Sequence, residues 1–274
     1  LDESAVRSIV DARPGIEPGA EAERLTGFGV RALTWHDADY PKQLREVYDR
    51  PAVLFVRGEL RSSDEWAVAV VGTRRVSVYG RQVAEEMSRG LAANNITVVS
   101  GLARGVDAVA HRAALDVGGR TIAVLACGLD LIYPPEHKRL AEQIIERGAL
   151  ISEYALGTEP RGDYFPRRNR ILSGISLGVL VVEGDVKSGA LITARMALEQ
   201  NREVFAIPGS IYSPNSRGPN QLIRDGAAKP TLELQDILAE LNLSMAAQQI
   251  EAAELIPDDE TESLLLRRLG AEPT

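Results

Sequence analysis

The chain has 274 residues, 45% apolar and 26% charged, and carries a net charge of −8, the proportions of a globular protein with room for one large α/β domain and small appendages. No apolar run approaches the roughly 18 residues of a membrane span, and Asp2, Glu3, Arg7 and Asp11 interrupt any leader-like apolar stretch at the start. The one cysteine, Cys127, excludes an internal disulfide framework and fits a reducing cytoplasm, as a small buried hydrophobe in a strand.

Residues 1–30 read as short helices broken at Pro14-Gly15, Pro18-Gly19 and Gly27, the end of a small helical module. Residues 33–60 read as a lead-in helix and a strand from Val53 to Arg57. Trp35 and His36 lie here as packing or surface residues, and no second His or Cys stands at ligand spacing, so no metal site is expected. From Trp66 the pattern turns regular. A strand over Ala67–Val71 ends in Gly72-Thr-Arg-Arg, and a helix follows Gly80 with Val83, Met87 and Leu91 at four-residue spacing. A second strand, Thr97–Ser100, ends in Gly101-Leu-Ala-Arg-Gly-Val-Asp and a helix through Leu115. A third, Thr121–Ala126, ends in Cys127-Gly-Leu-Asp, and Pro134-Pro135 opens a helix over His137–Arg147. A fourth, Ala149–Tyr154, leads into a Gly/Pro-rich loop before Phe165. A fifth, Val179–Val182, and a sixth, Glu203–Ile207, complete the series, and a last helix runs over about 232–241. Strand–loop–helix repeated in this way predicts a doubly wound parallel sheet, with ligands at the carboxyl ends of its strands. Residues 244–262 are rich in Ala, Gln, Glu and Asp and read as a linker, and 261–269 as the opening helix of a further module.

Tyr164 to Ala194 is the most informative stretch. Arg167, Arg168 and Arg170 stand beside Phe165, and a fully apolar strand precedes the Gly-bounded polar loop Gly184–Gly189, which runs into a helix. Such a loop offers backbone N–H groups and a positive helix end to an anion. Arginines, an aromatic ring and a phosphate-type loop together suggest nucleic acid, and a single strand rather than a duplex. The acidity of the chain does not oppose this. Residues 66–230 hold 20 Lys+Arg against 16 Asp+Glu, a balance of +4. Residues 1–65 hold 9 against 13 and residues 231–274 hold 2 against 10, so the negative charge lies in the flanks. Arg74 after the first strand, Arg104 between Gly101 and Gly105, and Ser188, Gly189 and Thr193 at a helix start converge on the same sheet edge. Phe165 reads either as a base platform or as a core residue below the loop. Asp107 and His111, at i and i+4, read as a surface pair or helix support, and Glu183 and Asp185 as caps and Arg partners or as a base or metal partner. Dinucleotide and Walker A spacings are absent, and His36, His111 and His137 form no recognisable triad with Ser or Cys.

The ordered blocks Val-Val-Gly-Thr-Arg-Arg, Val-Ser-Gly-Leu-Ala-Arg-Gly-Val-Asp, Gly-Leu-Asp-Leu-Ile-Tyr-Pro-Pro-Glu, Tyr-Phe-Pro-Arg-Arg-Asn-Arg-Ile-Leu-Ser-Gly, Val-Val-Glu-Gly-Asp-Val-Lys-Ser-Gly-Ala-Leu-Ile-Thr-Ala and Phe-Ala-Ile-Pro-Gly resemble the DprA/Smf DNA-processing proteins over about residues 40–229. The resemblance implies an extended Rossmann-like domain over 33–241, after a partial helical module (1–32) and before an acidic linker (242–260) and the start of a winged-helix-like module (261–274). It implies sequence-independent binding of single-stranded DNA, a homodimer, and delivery of protected strands to the RecA recombinase in natural transformation, with no catalysis, metal or cofactor. Carried over, the DNA set is Gly72, Thr73, Arg74 and Arg75; Ser100, Gly101, Arg104 and Gly105; Phe165, Arg167, Arg168, Asn169 and Arg170; and Lys187, Ser188, Gly189 and Thr193. In it Arg74 holds a phosphate, Phe165 and Asn169 meet a base and its backbone, and the Arg-Asn-Arg segment either supplies charge or braces the loops by salt bridges. The rival reading is a phosphoribohydrolase of the lysine-decarboxylase-like type on a related fold. Against it, Pro208-Gly209 continues as Ser-Ile-Tyr-Ser, with no glutamate at that family's spacing.

Overall fold

The computed structural model describes residues 3–15 and 17–242. Two helices, α1 (Glu3–Ala12) and α2 (Pro18–Gly27), precede an antiparallel pair, β1 (Val30–Thr34) and β2 (Val53–Gly58), with the one-turn α3 (Lys42–Arg45) between them. The α/β units follow: β3 (Ala67–Val71), α4 (Val78–Ala93), β4 (Thr97–Ser100), α5 (Val106–Asp116), β5 (Thr121–Val124), α6 (Lys138–Arg147), β6 (Ala149–Ser152), α7 (Tyr164–Gly174), β7 (Gly178–Val181), α8 (Gly189–Glu199), β8 (Glu203–Ala206), α9 (Arg217–Arg224), β9 (Lys229–Pro230) and α10 (Leu234–Glu240). All nine strands form one sheet in the order β1-β2-β6-β5-β4-β3-β7-β8-β9, parallel from β6 to β9. This is the expected Rossmann-like architecture. The expected linker and winged-helix start lie outside the described residues, apart from Asn242.

The apolar runs explain the layers. Every residue of β3, β4, β5, β6 and β7 is buried, because helices cover both faces. Alternate residues of β3 feed opposite cores. Ala69 and Val71 pack with Ile171 and Leu172 of α7 and Ala190, Leu191 and Ala194 of α8, whereas Val68 and Val70 pack with Met87 and Leu91 of α4 and Val106 and Val109 of α5. Glu183, just past β7, locks the two halves together. Its buried carboxylate accepts from the backbone N–H (3.0 Å) and Oγ (2.5 Å) of Ser77, the N-cap of α4, and from Nδ2 of Asn215 (3.3 Å). Of the two readings of Glu183, the geometry is that of the cap.

Four elements depart from the sequence reading. β1 was not expected, because only Val30 and Leu33 are buried in it and no period-two alternation marks it. The Arg-rich segment after Tyr164 is a helix, α7. Its Pro166 lies in the first turn, where the missing N–H costs nothing. α9 and the two-residue β9 form between the sixth strand and the last helix, where the sequence marks no element.

Asp107 and His111 are not a surface pair. Both are buried and each has its own partner. The Thr121 hydroxyl donates to the Val98 carbonyl (2.7 Å), so it accepts from Nδ1–H of His111 (2.6 Å), and Nε2 is left buried without a partner. Burial, and then the neighbouring positive groups His137, Arg168 and Arg112, hold the imidazole pKa down at about 3. The folded state therefore keeps His111 neutral, while the unfolded chain takes up a proton below about pH 6.5. Stability is expected to fall by about 1.4 kcal/mol per pH unit between roughly 6.5 and 3 from this residue alone. Urea midpoints at pH 7.5 and 5.5 check this: the loss on acidification should shrink by that amount in His111→Gln, and an equal loss in both proteins would remove His111 as its source.

Candidate nucleic-acid interface

The sheet order changes direction between β3 and β7, the first of which is followed by α4 on one face and the second by α8 on the other. Loops leaving the carboxyl ends of such neighbours diverge and open a crevice. Here it is a cleft of about 380 Å³, lined by residues 71–75, by Ala103 and Asp107, by Phe165, Pro166, Arg168, Asn169 and Leu172 of α7, and by Ser188, Gly189, Ala190, Ile192 and Thr193 at the start of α8.

Arg74 and Phe165 meet at its mouth. The guanidinium lies 5.3 Å from the ring centroid, a cation–π contact that holds both groups at the surface. Tyr133 backs Phe165 at 5.7 Å with the rings tilted by 56°, so the ring stands up from α7 instead of sinking into the core. Phe165 is half-buried, with its ring against Tyr133 and the Arg74 guanidinium at the cleft mouth. Arg74, Arg75, Arg167 and Lys187 are exposed and form no ion pair among the described residues. Arg104 is exposed too, but is paired with Glu136 at 2.5 Å.

The cleft floor is built differently. Arg168 is 4% exposed. Its Nη1 donates to the Val124 carbonyl (2.6 Å) and its Nε has no partner. Desolvation, partly offset by Asp107, lowers its pKa to about 10, still well above neutrality, so the guanidinium stays charged on the floor beside Asp107. Asp107, also buried, accepts from the N–H groups of Gly101 (3.1 Å) and Ala103 (3.3 Å). Burial raises its pKa, and Arg168 and the two N–H donors oppose the rise. Gly101 is squeezed between them, where a Cβ would overlap the Arg168 guanidinium. Gly105 is the other position that demands glycine. Its φ is +77°, and a Cβ would strike the Thr73 carbonyl and the Arg74 backbone, so it brings the β4–α5 turn down onto the Arg74 loop.

The remaining sequence candidates divide by what their side chains already do. Gly72 lets Val106 approach β3, and Thr73 Oγ1 accepts from the Arg75 N–H (3.1 Å), shaping the loop. Ser100 is fully buried with its hydroxyl on the Val70 carbonyl (2.7 Å), and so presents nothing to the cleft. Asn169 reaches the Gly189 carbonyl (3.4 Å) and Thr193 Oγ1 donates to the same oxygen (3.2 Å), joining α7 to α8 along the cleft wall. Ser188 is the N-cap residue of α8, with its hydroxyl buried and unpartnered. Arg170 is a brace: it bridges Glu153 (2.6 Å) and Asp49 (3.2 Å) with 16% of its side chain exposed. Residues missed from sequence are Tyr133 and the buried Asp107. An aromatic ahead of Pro134-Pro135 in a strand-end loop was the available signal for the first, and nothing local marked the second.

The family described as DNA recombination-mediator protein A matches residues 31–242. Protein Smf of Escherichia coli K12 is 51% identical over 207 residues, which cover 75% of this chain and 55% of that protein, so the chain spans little more than half the length of this relative. DNA processing protein DprA of Bacillus subtilis is 44% identical over 214 residues, covering 78% of this chain and 72% of that protein. Among solved structures, DNA processing protein A from Streptococcus pneumoniae is similar with a TM-score of 0.77 and 41% identity, over 84% of this chain and 80% of that one. The protein of that name from Helicobacter pylori, described for its single-stranded DNA binding mode, gives 0.70 and 31%, over 77% and 95%.

Proposed function

The chain belongs to the DNA recombination-mediator protein A family, and on that premise we propose that it binds single-stranded DNA without reading sequence, shields incoming strands and passes them to the RecA recombinase in natural transformation. The observation that carries the reading is Arg74 poised over Phe165 at the switch point of the sheet, near cations that form no ion pair among the described residues. A cation for the phosphate and a π-face for any base are what sequence-independent single-strand binding requires. The likeness to the Helicobacter pylori protein supports the same ligand.

In this reading residues 33–241 form the binding domain, and 1–32 and 242–274 belong to flanking modules and a linker. The protein acts in the cytoplasm without catalysis; no helix among the described residues is long and apolar enough to cross a membrane. It acts as a homodimer. Among the described residues the two-residue strand β9 is a sheet edge, and beside it lies a broad depression that includes Val186, Ile211, Ile223 and Pro230, with Ile211 76% exposed. Such an edge with an apolar surround fits a second copy.

Fluorescence anisotropy of labelled oligo-dT across a salt series, with a matched duplex as competitor, tests the reading. Binding should weaken with a log–log slope of about −0.7 for each phosphate engaged, and duplex should compete poorly. Absence of binding at low salt, or release of free base from a nucleoside monophosphate, would favour the phosphoribohydrolase instead.

A further inference from the structure

We propose that α7 carries a second base-stacking station, centred on Tyr164, for the nucleotide next to the one that stacks on Phe165. The proposal rests on the single-strand reading above.

The two stations repeat one construction. Phe165 is backed by Tyr133 and faced by the Arg74 guanidinium. Tyr164 is backed by Tyr154, with centroids 4.3 Å apart and planes 21° from parallel, and faced by the Arg161 guanidinium at 5.1 Å. In both, an aromatic residue of the first helical turn lies against a second ring and against an arginine side chain. Consecutive residues of a helix project about 100° apart, so the rings open to two sides of the helix start. Two neighbouring bases splayed apart match that arrangement, and two bases stacked on each other do not.

The backing ring is fixed and the covering arginine is not. Tyr154 is half-buried and its hydroxyl has no partner, so the ring is held for its face and not for a hydrogen bond. Arg161 is 65% exposed on its side chain, and its ion pair is to Asp163 at 3.3 Å, itself 48% exposed. Exposed pairs of this kind contribute little, so a base can displace the guanidinium from Tyr164 or slide beneath it. The phosphate partner is also in place. Arg167 lies one turn after Tyr164 on the same helix face, is exposed, and forms no ion pair among the described residues. It is close enough for its charge to act on the Tyr154 hydroxyl. Arg167 thereby serves this station, while Arg168, the next residue, faces the cleft floor. The ligand class is any base of a single strand, since only a π-face and a phosphate are read.

The test uses the full chain with oligo-dT and the same strand carrying one abasic site at each position in turn. Tyr164→Leu, which keeps an apolar side chain at the helix start, is expected to weaken oligo-dT binding about fivefold to a hundredfold, and Tyr164→Phe, which keeps the π-face, to bind more tightly than Tyr164→Leu. In the wild type two adjacent abasic positions should be costly, and in Tyr164→Leu only one of them. Wild-type affinity in Tyr164→Leu, or an unchanged abasic profile, alongside weakened binding in Phe165→Leu, would overturn the second station and leave the single-strand reading standing. No binding by the wild type would sink both. Photocrosslinking of bromodeoxyuridine-substituted strands to the wild-type chain needs no variant: adducts on Tyr164 and Phe165 from neighbouring positions support the proposal, and adducts on Phe165 alone refute it.

Discussion

Arg74→Ala is expected to weaken binding of single-stranded DNA about tenfold to a hundredfold, and equally for dT, dC and dA homopolymers. Arg74 is exposed, makes no ion pair among the described residues, and lies 5.3 Å from the Phe165 ring centroid. A hydrogen bond from a charged donor contributes about 1.5–3 kcal/mol, and each 1.4 kcal/mol is a factor of ten in affinity. The guanidinium also holds the ring at the mouth of the cleft, so its loss acts on the phosphate and on the base platform together. Because it reads backbone and not bases, the loss carries no sequence signature. The log–log salt slope should become shallower by about 0.7, the share of one single-strand phosphate. Arg74→Lys should recover part of the affinity, since it keeps the charge but loses the planar fork that meets phosphate and ring together. Anisotropy titrations on the three homopolymers check all of this, and unchanged binding by Arg74→Ala would take the residue out of the site.

Asp107→Ala is expected to cost about 3–5 kcal/mol of stability, the range for removing one partner from a buried charged network. Asp107 satisfies the Gly101 and Ala103 N–H groups and is the carboxylate that offsets the buried charge of Arg168. With it gone, two backbone donors lose their acceptor and the guanidinium keeps only the Val124 carbonyl. For a domain of this size the melting temperature should drop by roughly 6–20 °C. Asp107→Asn retains an oxygen acceptor but no charge, and should fall between wild type and Asp107→Ala. A melting temperature unchanged in Asp107→Ala would mean that water replaces the carboxylate and that the network does not hold the cleft floor.

The sequence was most readable where burial is complete. β3 and β4 form over the residues that their apolar runs indicate, because a strand covered on both faces admits little else. It was least readable where polar chemistry carries structure. Arg168 and Arg170 look alike in a row of arginines, yet one lies under the cleft with its charge against Asp107 and the other ties Glu153 to Asp49. Nothing in the order Arg-Arg-Asn-Arg states which side of a helix each will face until the segment is known to be helical, and Pro166 disguised that. Phe165 could be named as a candidate from its company, but its place at the cleft mouth depends on Tyr133, 32 positions earlier, which only the sheet order brings alongside.

That order also fixes when the cleft can exist. β3 is the first strand of the parallel set and lies at its centre, and β7 must return to its open side after three strands, β4 to β6, have been laid on the other. The bonds that seal the junction, from Ser77 to Glu183, span 106 positions of chain. Contacts of such long range are made slowly, because the intervening chain must be ordered before they form. As the protein is synthesised, β3 to β6 and their helices can collapse with one flank of β3 bare and no wall opposite Arg74. Affinity for a strand is thus acquired at the end of folding, and an incompletely folded chain has no site with which to capture DNA.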